Sequence, residues 1–247
     1  MADMNEIEKH TSYNKQKLND MYDGLKNINY AISHILKAPL RGINGFTKIL
    51  HDNYYKLLDE EGKILIKNIL NNTTKMDKLI NNIFILISML KWNMNVKDIN
   101  ISNLVKNIAS KLKDKYPERK IEIILPENIK ARADKYLIEL ALQELMDNSF
   151  KFTSSKKVSK IEFGIIETDD TKTFFIKDNG IGFNMKYKDK LFNICQKIHN
   201  FSENDGDGMG LYIVYQAIKM HKGLIWAESE KDNGTVFYFT INSKNIQ

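Results

Sequence analysis

The 247 residues carry 43% hydrophobic and 28% charged side chains and a formal net charge of +6, a profile that suits a folded chain with one or two buried cores. The longest apolar run, Ile83 to Leu90, is far short of the roughly 20 residues that cross a bilayer, and the opening Met-Ala-Asp-Met-Asn has neither a basic nor an apolar export region. A single cysteine, Cys195, excludes an intramolecular disulfide and a Cys-based metal cage and suits a reducing cytoplasm, while lysines scattered without an aromatic-laced stripe argue against nucleic-acid binding.

Residues 1–13 are polar and weakly periodic and read as a stub or connector. From about Tyr13 to His51 apolar residues recur at three- and four-residue steps (Leu25, Ile28, Ile32, Leu36, Leu40, Ile43, Phe46, Leu50), which predicts one buried stripe of a helix. His34 lies roughly 200° around that helix from Ile32 and Leu36, so its imidazole points to solvent. Pro39 frees the carbonyl of Ile35 and predicts a local kink. A break from Asp52 to Gly62 precedes a second stripe, Ile66, Ile69, Thr73, Met76, Ile80, Ile83, Ile87 and Leu90, whose pattern repeats every seven residues. Two such helices form an antiparallel hairpin that exposes too much apolar surface alone. Pairing two hairpins into a four-helix bundle buries it, so residues 14–92 are expected to form a homodimer. A coiled-coil spacer without chemistry would show the same stripes.

After Trp92 the pattern becomes mixed α and β, with a second domain expected over residues 98–247. Ile101 to Lys115 reads as an amphipathic helix ending before Pro117, and Lys120 to Leu125 as a strand. Asp134 is a candidate N-cap for a helix to about Phe152. Strands follow at about Lys160–Glu167 and Lys172–Lys177 around the turn Thr168-Asp169-Asp170. The long polar stretch Asn184–Asp207 reads as a lid or binding loop. A helix after Gly208 to about His221 and strands at Leu224–Ser229 and Thr235–Asn242, joined through Asn233-Gly234, complete the domain.

Three clusters in this half carry chemistry. Glu144, Asn148 and Lys151 share one helix face at four- and three-residue spacing, a carboxylate, an amide and an ammonium that together suit Mg²⁺ and phosphate. Asp178-Asn179-Gly180-Ile181-Gly182-Phe183 sets an acid at a strand end before a glycine-rich turn. Gly206-Asp207-Gly208-Met209-Gly210-Leu211 leads into a helix whose N-terminal N–H groups favour an anion. Singly these motifs are ordinary turns and loops.

Together, in this order, they resemble the N, G1 and G2 boxes of the GHKL ATP-binding fold shared by gyrase, Hsp90, MutL and histidine kinases. With His34 and Leu36-Lys37-Ala38-Pro39-Leu40-Arg41 resembling an H box, and Phe192 with Gln196-Lys197-Ile198-His199 resembling an F box and lid, the chain from about residue 14 is similar to the core of a sensor histidine kinase. The resemblance implies an α+β protein: a dimeric helical hairpin followed by an α/β sandwich of Bergerat type that binds ATP and Mg²⁺. It implies that Asp178 accepts the adenine amino hydrogen, Phe152 lies against the base, and Asn148 serves Mg²⁺. Lys151 and Lys197 would offset phosphate charge, Gly180 and Gly182 would let the chain pass close to the nucleotide, and Gly206, Gly208 and Gly210 would hinge and cap the lid. Leu211 and Thr235 complete the nucleotide set, and Lys37 and Glu144 join His34 as catalytic candidates. His34 would attack the γ-phosphate and pass the phosphoryl group to a receiver-domain aspartate of a response regulator; these residues include no sensor domain, which leaves the signal unread and a separate or missing sensor domain open.

Two residues depart from that family's pattern. Ile35 stands where an acidic residue usually follows the histidine, removing a candidate base worth typically 10²–10⁴-fold, and Ala38 replaces a polar residue, which lowers the expectation of phosphatase activity. Glu144 stands where many histidine kinases carry Asn and resembles the ATP-hydrolysing members, although a solvent-facing structural carboxylate is the commoner explanation. The alternatives are therefore a weakly active or non-catalytic relay or scaffold, and a GHKL ATPase. The latter is disfavoured because those proteins place partner domains after the nucleotide fold and this chain stops soon after its last strand.

Overall fold

The computed structural model describes residues 2–168, 171–196 and 208–242. The chain divides into two compact units, Met1–Asn93 and Met94–Gln247.

The first unit is a helical hairpin. Helix α1 spans Ala2–Tyr54, so the expected stub is helical too, and the helix continues through Pro39. A single 3₁₀ turn, Tyr55–Leu57, leads to α2, Glu60–Met89. The break is shorter than the polar stretch suggested because Asp59 caps α2 at once, accepting from Gly62 N–H at 2.8 Å, while Glu60 and Glu61 favour the positive end of the helix dipole. Cross-links fix the antiparallel register: Lys91 pairs with Asp23 at 2.7 Å and Lys37 Nζ donates to Asn81 Oδ1 at 2.6 Å.

The stripes do not behave as one buried face. Leu40 (5% exposed) and Thr47 on α1 are buried with Ile66, Thr73 and Ile80 on α2, whereas Leu25, Leu36, Ile43, Phe46 (73% exposed) and Leu50 stand open. On α2 the alternate heptad series Ile69, Met76, Ile83 and Leu90 is also exposed. A two-helix hairpin has room to cover one heptad position, and the other series faces outward.

In the second unit β1 is Val96–Asn100, α3 Ile101–Lys115, β2 Ile121–Ile124, β3 Lys130–Asp134, α4 Lys135–Phe152, β4 Ser159–Glu167, β5 Lys172–Asp178, α5 Gly210–Met220, β6 Ile225–Glu230 and β7 Gly234–Thr240. The five-stranded sheet runs β2-β4-β5-β7-β6, parallel between β2 and β4 and antiparallel elsewhere, with β1 and β3 forming a separate antiparallel pair. That pair escaped the sequence reading because Lys130-Ala-Arg-Ala-Asp134 lacks the β-branched and aromatic residues that mark strands. Inward-facing Ile161, Phe163, Phe174, Ile176, Phe237 and Phe239 meet buried Leu137, Leu142 and Leu145 of α4, Ile213 and Val214 of α5, and Val105 and Ile108 of α3. The fold is thus α+β, a helical hairpin followed by an α/β sandwich.

Polar clasps orient the helices beneath the sheet. Asp134 caps α4 by accepting from Tyr136 and Leu137 N–H, and its other oxygen accepts from Asn95 N–H at 2.8 Å. Asp134 N–H donates to Nε2 of the fully buried His221 at 2.9 Å, which leaves Nδ1 as the protonated nitrogen that donates to Ala217 O at 2.7 Å. At the other end of α4, Arg119 donates to Phe150 O, Thr153 Oγ1 and Ser159 Oγ, placing a cation on the negative helix terminus.

Candidate active site

Strand β5 delivers Asp178 to the centre of the second unit, where it is 5% exposed. Its Oδ1 accepts from Gly180 N–H at 2.8 Å and Thr235 N–H at 3.3 Å, and its Oδ2 from Ser149 Oγ at 3.4 Å. Burial pushes the carboxyl up from 3.8 to about 6, while those three donors and the charge of Lys156 pull the other way. The structure therefore brings Asp178, Gly180 and Thr235 together with a residue that sequence reasoning missed, Ser149. Its only signal was its position on the buried side of the same helix as Asn148.

The turn after Asp178 is shaped by close approaches. Ile181 N–H donates to Phe152 O at 3.1 Å, and a Cβ on Gly180 would meet Phe152 O at 2.7 Å, so the chain presses against the end of α4. Gly182 has φ +57° and faces Glu230 O, where a side chain has no room. Ser229 locks this turn to the β6–β7 hairpin: it donates to Gly234 O and accepts from Phe183 N–H at 2.8 Å, which assigns the Thr235 Oγ1 proton to Ser229 Oγ. Asn179 faces away, its side chain bridging Lys160 N–H and Val158 O.

Lys151 Nζ sits 4.8 Å over the Phe152 ring, and both residues are half-buried, as are Asn148 and Leu211. Gly208, at φ +74°, packs on the backbone of Cys195 and Gln196. Gly210 opens α5, and the Glu144 carboxylate occupies the space that a Cβ there would take. A Cβ on Gly210 would displace that carboxylate, the mobile end of the Glu144 side chain. Lys197 and Gly206 lie outside the described residues. For Mg²⁺ the donor set fits an ion held largely by phosphates and water: Asn148 offers a side-chain oxygen, and among the described residues no cluster of three acidic, His or Cys side chains is assembled.

In the first unit His34 is exposed on α1, as is Ile35 at 65%. Lys37 is tied across the hairpin to Asn81.

A helical hairpin presenting an exposed histidine, followed by a sandwich with a buried strand-end carboxylate and glycine turns, defines a phosphoacceptor domain joined to a GHKL-type ATPase domain. Residues 25–88 match the His Kinase A (phospho-acceptor) domain, and residues 133–245 the histidine kinase-, DNA gyrase B- and HSP90-like ATPase family. The chain carries the two domains of a sensor histidine kinase catalytic core, the phosphoacceptor domain followed by the ATPase domain. It is 30% identical over 215 residues to cyanobacterial phytochrome B of Nostoc sp., covering 86% of this chain and 28% of that protein. It is 32% identical over 213 residues to the methanogenesis regulatory histidine kinase FilI of Methanothrix harundinacea, covering 86% of this chain and 24% of that one. The chain thus spans less than a third of the length of these relatives. The crystal structure of full-length ShkA in complex with AMPPNP shares the fold, with a TM-score of 0.63, 21% identity, and coverage of 87% of this chain and 45% of that one. No helix among the described residues is long and apolar enough to cross a membrane.

Proposed function

We propose that the chain is an ATP-dependent protein-histidine kinase that phosphorylates itself on His34 and passes the phosphoryl group to an aspartate of a response-regulator receiver domain in the cytoplasm. The observation that carries this reading is one chain pairing an exposed histidine on a phosphoacceptor helix with a buried carboxylate, Asp178, where the Gly180–Gly182 turn meets the Gly234 hairpin. Asp178 accepts the adenine amino hydrogen, Phe152 lies against the base beside Thr235 and Leu211, and Lys151 and Lys197 offset phosphate charge. Gly180, Gly182, Gly206, Gly208 and Gly210 keep backbone close to the ligand. Asn148 holds Mg²⁺ through its side-chain oxygen; the ion, when bound, supplies charge neutralisation on the phosphates.

In the chemical step a ring nitrogen of His34 attacks the γ-phosphorus of ATP. The N–P bond forms as the bond to the bridging oxygen breaks, ADP leaves with that electron pair, and the proton of the other ring nitrogen passes to solvent because Ile35 offers no base. The exposed heptad series on both helices supports a homodimer.

Two further readings each rest on one observation: Ile35 favours a relay or scaffold with little turnover, and Glu144 beside the α5 N-terminus favours ATP hydrolysis. Incubation with γ-labelled ATP and Mg²⁺ separates them. Acid-labile, alkali-stable label that disappears in His34→Ala is the expected result. Free phosphate without labelled protein identifies an ATPase, and ATP binding with neither product identifies the relay.

A further inference from the structure

Lys37 follows His34 by three residues, so the two side chains leave one face of α1 with Cβ atoms about 5–6 Å apart. Lys37 is also the charged residue nearest to His34 along the helix in either direction. Its ammonium is half-buried and donates to Asn81 Oδ1 of α2 at 2.6 Å. Asn81 Nδ2 in turn donates to Asp77 Oδ2 at 3.1 Å, one turn back along α2. A single amide orientation serves both neighbours, because an ammonium can only donate and a carboxylate only accept. Asp77 therefore fixes the amide, and the amide oxygen fixes the ammonium. A carboxylate directly on Lys37 would cancel much of its charge at contact distance; a neutral amide holds the cation and leaves its field available.

We propose that Asn81 is a positioning residue: through it α2 holds the Lys37 ammonium beside His34, where it offsets the charge of the phosphoryl group as it arrives and while it resides on the ring. This rests on the reading of His34 as phosphoacceptor. Bonds and protons balance as in the step above, since Lys37 contributes charge and exchanges no proton.

The test is the initial rate of labelling from γ-labelled ATP, over a range of ATP concentrations, for wild type, Lys37→Met, Asn81→Leu, the double variant, Asn81→Asp and His34→Ala. Lys37→Met and Asn81→Leu are each expected to lower the maximal rate about tenfold or more with KM for ATP unchanged, and the double variant is expected to be no slower than the slower single one. Asn81→Asp is also expected to slow labelling with KM for ATP unchanged, because a full carboxylate at contact distance cancels the field of Lys37, although it also loses the bond to Asp77 one turn away. Wild-type rates in Asn81→Leu or Asn81→Asp, or losses that multiply in the double variant, overturn the proposal. Label that persists in His34→Ala overturns the phosphoacceptor reading instead, so the two failures are distinct.

Discussion

At Asp178 the protein keeps a carboxylate where ionisation is disfavoured. The gap between 3.8 and about 6 corresponds to about 3 kcal/mol. Its sign follows from the folded state holding the proton to higher pH than the unfolded chain: relative to the protonated carboxyl, which carries no such cost below pH 3.8, the folded state loses stability as pH rises from there through about 6, and the penalty is present nearly in full at pH 7. Asp178→Asn removes it, and an amide fits the same donors, with Oδ1 facing Gly180 and Thr235 and Nδ2 donating to Ser149 Oγ. Urea unfolding at pH 7 is expected to show the variant more stable by up to about 3 kcal/mol, while calorimetry shows ATP binding weakened at least about tenfold. In the wild type, ATP affinity is expected to fall as pH drops below about 6, where the free carboxyl takes up its proton. A stabilised variant with unchanged ATP affinity would remove Asp178 from base recognition. Ile35 offers the complementary experiment. Its side chain is 65% exposed, so Ile35→Asp needs no repacking, and it is expected to raise the autophosphorylation rate by about tenfold or more; an unchanged rate means that a base at this position does not limit the step.

At the level of the elements, α4 and α5 meet through Glu144 and Gly210. Gly210→Ala puts a methyl group where the tip of the Glu144 side chain lies, and because that carboxylate can swing aside the change is expected to cost less than about 1 kcal/mol. Adding Glu144→Ala should restore most of that loss in thermal melts, and a double variant as unstable as Gly210→Ala would place the conflict elsewhere. The helices were legible where local chemistry decides: the amphipathic run ending before Pro117 marked α3, and Asp134 marked the start of α4 with its own side chain. What stayed illegible was long-range. Ser149 and Ser229 are small polar residues without a local signature, and their roles arise from partners 29 to 46 residues away in the chain. The turn residues Asp178, Gly180 and Gly182 stood out because acid and glycine at that spacing restrict the backbone, yet the neighbouring Asn179 belongs to strand fastening. The heptads were visible as stripes, but which half of each is covered inside one hairpin depends on packing that periodicity does not encode.

For the whole molecule, the series Ile69, Met76, Ile83 and Leu90, with Ile43, Phe46 and Leu50, leaves apolar surface of the hairpin open among the described residues. Met76→Glu with Ile83→Lys is expected to convert the proposed dimer to a monomer in light scattering, while circular dichroism retains the helical signal of the second unit; a dimer that survives both charges must use another face. The Asp134 clasp has a different reach. The chain passes into the second unit at Met94, and the next residue, Asn95, is already bound to the carboxylate that sets the first turn of α4. The backbone N–H of that same aspartate is seated on His221, at the far end of the helix that begins with Gly210. One aspartate thus gathers the first residues of the second unit, the start of α4 and the end of α5 into a single knot, and the helices rooted there carry Asn148 and Leu211 toward their opposite ends.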